Sequence, residues 1–234
     1  MKLRNIKVRR DIALLLLFAS VTIVVNVRTG AGAVQQPDQA QLEKKFWKDY
    51  ASLQEKFADG PEPASSPADH KEKVAQWQDE LAARFARTAA TADEIIKLNP
   101  PNVAMWREQR DTLLLYAQPV SAPESRSVFG AGEVQKKARV FKAPLPVYSD
   151  AARAAKAKGE VRLRLVLGGD GKVKYIFAVK PAKHGLTEAA IEAARLMEFE
   201  PAIREGRRVS QFATFVYEFK DGQALPPKPS EREF

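Results

Sequence analysis

The chain of 234 residues holds two histidines, His70 and His184, and no cysteine. Thiolate metal sites, disulfide frameworks and cysteine nucleophiles are therefore excluded. The imidazoles stand far apart in sequence, His70 between Asp69 and Lys71 where a helix starts, His184 beside Gly185 in a loop. No serine lies in a nucleophile-elbow pattern. Glu188 and Glu192 sit one helical turn apart, a spacing open to acid–base work but equally that of a solvated helix face. No catalytic residue, metal site or cofactor is expected, and the chain reads as a non-enzyme. The remaining chemistry is charge. Residues 136–220 carry 18 Lys and Arg against 9 Asp and Glu, whereas residues 34–135 carry 12 against 16. Arg162, Arg164, Lys172 and Lys174 crowd one hairpin, as a nucleic-acid surface would require. Cations alternating with apolar residues are also the ordinary polar face of a half-buried sheet. With the export signal described below, no nucleic-acid partner is expected.

The elements that carry the basic block follow from periodicity. Val161, Leu163, Leu165 and Leu167 alternate with Arg162 and Arg164, a strand. Gly168-Gly-Asp-Gly171 forms a hairpin turn, and Val173, Tyr175, Phe177 and Val179 give the apolar side of a second strand that Pro181 stops. Thr187 is placed as the N-cap of a helix reaching Met197. Val209–Phe219 is a third strand with Ala213, Phe215, Tyr217 and Phe219 on its apolar face and Thr214 opposite. Ser149–Lys158 reads as a short helix closed by Gly159. The fold class is α+β, a three-stranded antiparallel sheet with helices on one face.

Ahead of it, Leu42, Phe46, Tyr50, Leu53 and Phe57 form one helical stripe. Val74, Trp77, Leu81 and Phe85 form a second, running toward Ile95, Ile96 and Leu98. Asn99-Pro100-Pro101-Asn102 is a hard stop, and a third helix runs from Val103 through Trp106, Leu113 and Leu114 to about Tyr116. Residues 38–117 are expected as a small antiparallel bundle or spacer. Residues 118–136, rich in Pro, Ser, Gly and Ala, are expected as a linker. The domain follows at 137–220, with a flexible tail at 221–234.

At the other end, Lys2, Arg4, Lys7, Arg9 and Arg10 precede an uncharged run from Ile12 to Val27. As a helix the run spans about 24 Å at ~1.5 Å per residue, somewhat under the ~30 Å hydrocarbon core. Two readings fit residues 1–33: a signal-anchor, or a signal peptide cut at Ala31-Gly32-Ala33. Either places the rest of the chain outside the cytoplasm.

Several short motifs occur in order within the basic block. They are Pro144-Leu-Pro-Val-Tyr148 with Ala151-Ala-Arg153, Gly159-Glu-Val161, Asp170-Gly-Lys-Val173, Leu186-Thr-Glu-Ala-Ala-Ile-Glu-Ala-Ala-Arg195, Phe199-Glu-Pro-Ala202 and Gly206-Arg-Arg-Val209. In this order, from about Arg139 to Phe219, the chain resembles the C-terminal domain of TonB-family proteins, the energy transducers of Gram-negative envelopes. Pro144, Pro146, Tyr148 and Arg153 look like the family's proline–tyrosine box. The resemblance implies a protein of the inner membrane, facing the periplasm, that binds outer-membrane TonB-dependent receptors and draws energy from an ExbB–ExbD motor. In the family the receptor peptide pairs with the last strand, which implies Val209, Ser210, Gln211, Phe212, Ala213 and Thr214 as partner-binding residues. Strand addition suits a short sheet, whose edges carry unpaired backbone groups.

The alternative is a non-transducing periplasmic adaptor or scaffold using the same domain. It is favoured by a membrane run without histidine and by eight scattered prolines between residues 34 and 135 in place of a Pro/Lys-rich stalk. A further alternative for the last strand is a protected edge, covered by the tail Asp221–Phe234 or by a second copy of the domain in a homodimer.

Overall fold

The computed structural model describes residues 38–118 and 127–230, all within one compact unit. The segment 1–33, with its run Ile12 to Val27, lies outside the described residues. Among those described, no helix is long and apolar enough to cross a membrane.

Three amphipathic helices come first. In α1 (Gln39–Asp59) the Asp38 carboxylate accepts from the Ala40 N–H, and Leu42, Phe46, Tyr50, Leu53 and Phe57 are buried, the stripe the spacing predicts. Ser66 caps α2 (Pro67–Lys97) by accepting from the Asp69 N–H, with Pro67 in the first turn, where its missing donor costs nothing. Trp77, Leu81, Phe85 and Ile95 are its buried side, while Leu98 stays exposed beyond the helix end. α3 (Val103–Tyr116) buries Trp106 and Leu113 and leaves Leu114 outward.

The remaining elements are β1 (Val128–Phe129), β2 (Arg139–Lys142), α4 (Asp150–Ala154), β3 (Gly159–Leu167), β4 (Val173–Lys180), α5 (Leu186–Arg195), β5 (Glu198–Glu200), β6 (Ala202–Arg204), β7 (Arg207–Lys220), β8 (Gln223–Ala224) and β9 (Lys228–Pro229). The three long strands run antiparallel in the order β7, β3, β4, as expected. Four short strands, β1, β6, β8 and β9, also pair with β7, and β2 with β5 makes a separate two-stranded sheet. Residues 221–230, expected as a flexible tail, supply β8 and β9.

The expectation of helices on one face gives way to two covered faces. On one side Val161, Leu163 and Leu165 of β3 and Ile176 and Ala178 of β4 pack with Leu186, Ala190 and Ala194 of α5. On the other, Phe177 and Val179 of β4 join the buried side chains of α1, α2 and α3. The helical segment is thus a second layer on the sheet. Phe177 lies within 5.2–5.9 Å, ring to ring, of Tyr50, Phe57, Phe85 and Tyr116. The Gln54 amide donates to the Ala178 carbonyl at 2.7 Å, and the Tyr116 hydroxyl to the Tyr175 carbonyl at 3.1 Å.

Three local readings are corrected. Strict alternation put Val173 and Phe177 on one face, but Val173 packs with the α5 side and Phe177 with the helical layer. The register shifts between Arg164 and Val166, and Tyr175 there takes φ 50°, a bulge that adds a residue to β4 and exchanges its faces. Gly159 does not close α4. Lys156, at φ 45°, does, with the Ala157 N–H bonded to the Ala152 carbonyl and the Lys156 N–H to the Arg153 carbonyl. Thr187 is not the N-cap of α5; Gly185 at φ 77° holds that place. The Thr187 hydroxyl instead bonds both the N–H and the carbonyl of Ala182, pinning the β4–α5 loop.

Candidate strand-docking site

The hairpin and the sheet register together decide which backbone groups β7 offers. Gly168 closes the β3–β4 turn by donating to the Lys172 carbonyl at 3.0 Å, and a Cβ there would stand 2.8 Å from that same oxygen. β7 then pairs with β3 from Gln211 opposite Leu167 to Phe219 opposite Gly159. Its other edge is identified by two bonds: the Ser230 N–H donates to the Thr214 carbonyl and the Leu225 N–H to the Glu218 carbonyl, both at 2.8 Å. Backbone groups alternate sides along a strand. Phe212, Thr214, Val216 and Glu218 therefore direct their N–H and C=O to the outer edge, and Gln211, Ala213 and Phe215 direct theirs to β3.

The six expected partner-binding residues are brought together on β7, each already engaged within the chain. Val209 pairs with Ala202 in the β6–β7 hairpin. Ser210 and Gln211 lie beside Val128 and Phe129 of β1, which runs parallel. The Ser210 hydroxyl accepts from the Gly169 N–H at 3.2 Å. Phe212 turns its ring to the helical layer, 5.7 Å from Tyr116, with the Arg164 guanidinium 5.0 Å over its centre. Ala213 is half-buried beside Leu165. Thr214, expected opposite the apolar face, is buried, and its carbonyl accepts from the Ser230 N–H of the tail.

The proline–tyrosine box is a latch within the domain. Tyr148 is buried, its hydroxyl donates to the Ala157 carbonyl, and its ring lies 6.2 Å from that of Phe219. Arg153 stands 5.9 Å over the Tyr148 ring, and Pro146 is buried beside exposed Leu145 and Val147. The box therefore fastens the chain ahead of α4 to the end of the sheet.

Between β2 and the outer edge of β7 lies a groove of about 760 Å³, lined by Arg139 and Phe141 on one wall and Phe212, Thr214, Pro227 and Pro229 on the other. Two of its lining cations are paired: Arg139 bonds Glu200, which Lys136 also bonds, and Lys142 bonds Glu198. Those bonds hold the Glu200 carboxyl below its ordinary range, Arg139 contributing most. Two structural parts escaped sequence reasoning. The Gln211 side chain, buried, accepts from the Ala138 N–H at 2.8 Å and so ties the segment entering β2 to β7. β1 and β9 have two residues each, and no periodicity marks so short a strand.

The residues first considered for chemistry are dispersed. His70 and His184 are exposed on separate elements, and Glu188 and Glu192 are exposed on α5. Arg162 pairs with Glu160 and Lys174 with Asp170, while Arg164 lies inward between Phe57 and Phe212.

A family model described as the Gram-negative bacterial TonB protein C-terminal matches residues 144–220, from the first proline of the box to the last residue of β7. The comparison with curated proteins found no match to the chain. The matched segment spans α4, the three long strands and α5, and over it the chain is similar to the TonB C-terminal domain.

Proposed function

We propose that the protein captures extended segments of outer-membrane TonB-dependent receptors by strand addition to β7 and couples them to energy from the inner membrane through an ExbB–ExbD motor. The observation that carries this reading is the outer edge of β7, which takes a parallel strand at Ser210–Gln211 and an antiparallel one at Phe215–Val216 from the same chain. An edge that pairs in both directions offers the backbone groups an extended peptide needs. In this reading residues 1–33 hold the protein at the inner membrane with its remainder in the periplasm, or release it there if they are cut. It acts by binding, without catalysis and without nucleic acid.

A second reading rests on a different observation. The α1–α3 layer shares its core with Phe177 and Val179 instead of standing off as a stalk. That arrangement favours a periplasmic adaptor whose helices bind a second partner.

Val216 supplies the test, because its N–H faces the outer edge and proline is tolerated on edges. Labelled peptides copied from the periplasm-facing segments of receptors would be titrated into the chain. Val216→Pro should abolish binding and Val216→Ala should keep it. Equal binding by both variants would remove strand addition at this edge; no binding by the parent chain or by a chain ending at Ala224 would remove receptor capture and leave the adaptor.

A further inference from the structure

The tail after β8 crosses the edge on which the proposed peptide would lie, and its sequence there is Leu225-Pro-Pro-Lys-Pro-Ser230. It lies beyond the residues that the family model matches. Lys228 stands opposite Val216 and Pro229 opposite Phe215. Phe215 directs its N–H and C=O to β3, so the donor missing from Pro229 costs no bond to β7. The same prolines leave the far side of β9 without donors at 227 and 229, which prevents a further strand from stacking outside it. A peptide reaching Thr214–Glu218 must therefore replace the tail, because it has no way to pair beyond it.

The tail is held in a way that permits replacement. Lys228 and Pro229 are exposed, and β9 is two residues long. Its fastenings include the Ser230 and Leu225 bonds and a Lys228–Glu218 ion pair 3.4 Å long between exposed side chains. Exposed pairs of this kind contribute little. Proline also limits the freedom that the segment regains on release, which keeps it an extended strand ready to return.

We propose that the segment Leu225–Ser230 is a built-in competitor for the strand-docking edge, so that partner capture requires its release. This inference rests on the capture reading above. The full chain, a chain ending at Ala224, and the full chain with Ser230→Pro, which loses the N–H bonded to Thr214, would be titrated with the same labelled receptor-segment peptide. Both altered chains should bind at least tenfold more tightly than the parent, and saturating peptide should remove amide-exchange protection from Ser230 in the parent. Equal affinity in all three, with Ser230 still protected in the complex, would overturn the competitor role and leave capture standing. No binding by any of the three would overturn the capture reading itself, and the competitor with it.

Discussion

The ring of Phe177 on β4 stands 5.2 Å from that of Phe85 on α2, edge to face, and this contact joins a helical layer to a sheet that sequence periodicity treats as separate. Phe177 is fully buried among aromatic side chains of all three helices. Removing it should leave a cavity and cost about 3–5 kcal/mol. Because the core is shared, Phe177→Ala should shift the tryptophan fluorescence of Trp77 and Trp106 and the far-ultraviolet circular dichroism together in denaturant. Tryptophan transitions that stay in place while the sheet melts earlier would show two independent layers.

The same layering bears on the domain alone. A fragment of residues 137–220 keeps β3, β4, α5 and β7 but exposes Phe177, Val179 and Phe212 and lacks β1, β8 and β9. It should melt at lower denaturant than residues 38–230 and bind a hydrophobic dye that the longer chain does not. Equal midpoints would mean that the helices cover the sheet without stabilising it.

Two tyrosines should answer oppositely to loss of a hydroxyl. The Tyr148 hydroxyl bonds the Ala157 carbonyl, and Tyr148→Phe strands that buried acceptor at a cost of about 1–3 kcal/mol. The Tyr217 hydroxyl is buried with no partner among the described residues, so Tyr217→Phe should be neutral or stabilising by up to about 1 kcal/mol. Urea midpoints of the two variants check this, and a loss at Tyr217 comparable to that at Tyr148 would contradict it.

Burial also raises the phenol pKa values of Tyr50, Tyr116 and Tyr217 above the ordinary phenol value of about 10. Burial is the largest cause for all three; at Tyr116 the nearby Arg164 charge opposes it in part. A group whose pKa is raised in the folded state contributes its stability below the unfolded pKa and loses it as pH rises toward the folded one. Stability should therefore be level to about pH 10 and then fall, these three phenols together contributing a slope of up to about 4 kcal/mol per pH unit. Ultraviolet phenolate absorbance should grow in step with loss of far-ultraviolet signal. Full phenolate absorbance near pH 10 with the fold intact would contradict the burial.

Much of this fold was legible because long elements repeat their pattern. Leu42, Phe46, Tyr50, Leu53 and Phe57 could belong only to a helix stripe, and Leu163 and Leu165 between Arg162 and Arg164 only to a strand. β4 was harder. Ile176 and Phe177 are both buried, so alternation offered two apolar faces and no way to know that a second layer waited for one of them. The bulge at Tyr175 then exchanged the faces, and a non-glycine residue at positive φ has no reliable sequence mark. At the site, the motif order located β7 and the latch of Tyr148. What covers β7 stayed hidden, because Val128–Phe129 sits among linker-like residues and Lys228–Pro229 among prolines, which ordinarily argue against a strand.

Gln211 tests how the groove wall is held. Its side chain accepts from the Ala138 N–H and donates from Nε2 to the Phe212 carbonyl at 3.4 Å, while its backbone faces β3. Gln211→Leu keeps much of the volume and removes the acceptor, leaving the Ala138 N–H without its side-chain partner at a cost of about 1–3 kcal/mol. Exchange of the Ala138 amide should accelerate markedly while that of Ala213, bonded within the β3–β7 ladder, should change little. Because β2 forms the wall opposite Phe212 and Thr214, receptor-peptide affinity should change as well, without change in the helical layer. If the Ala138 and Ala213 amides accelerate alike, Gln211 supports the sheet as a whole and is no tie for the wall.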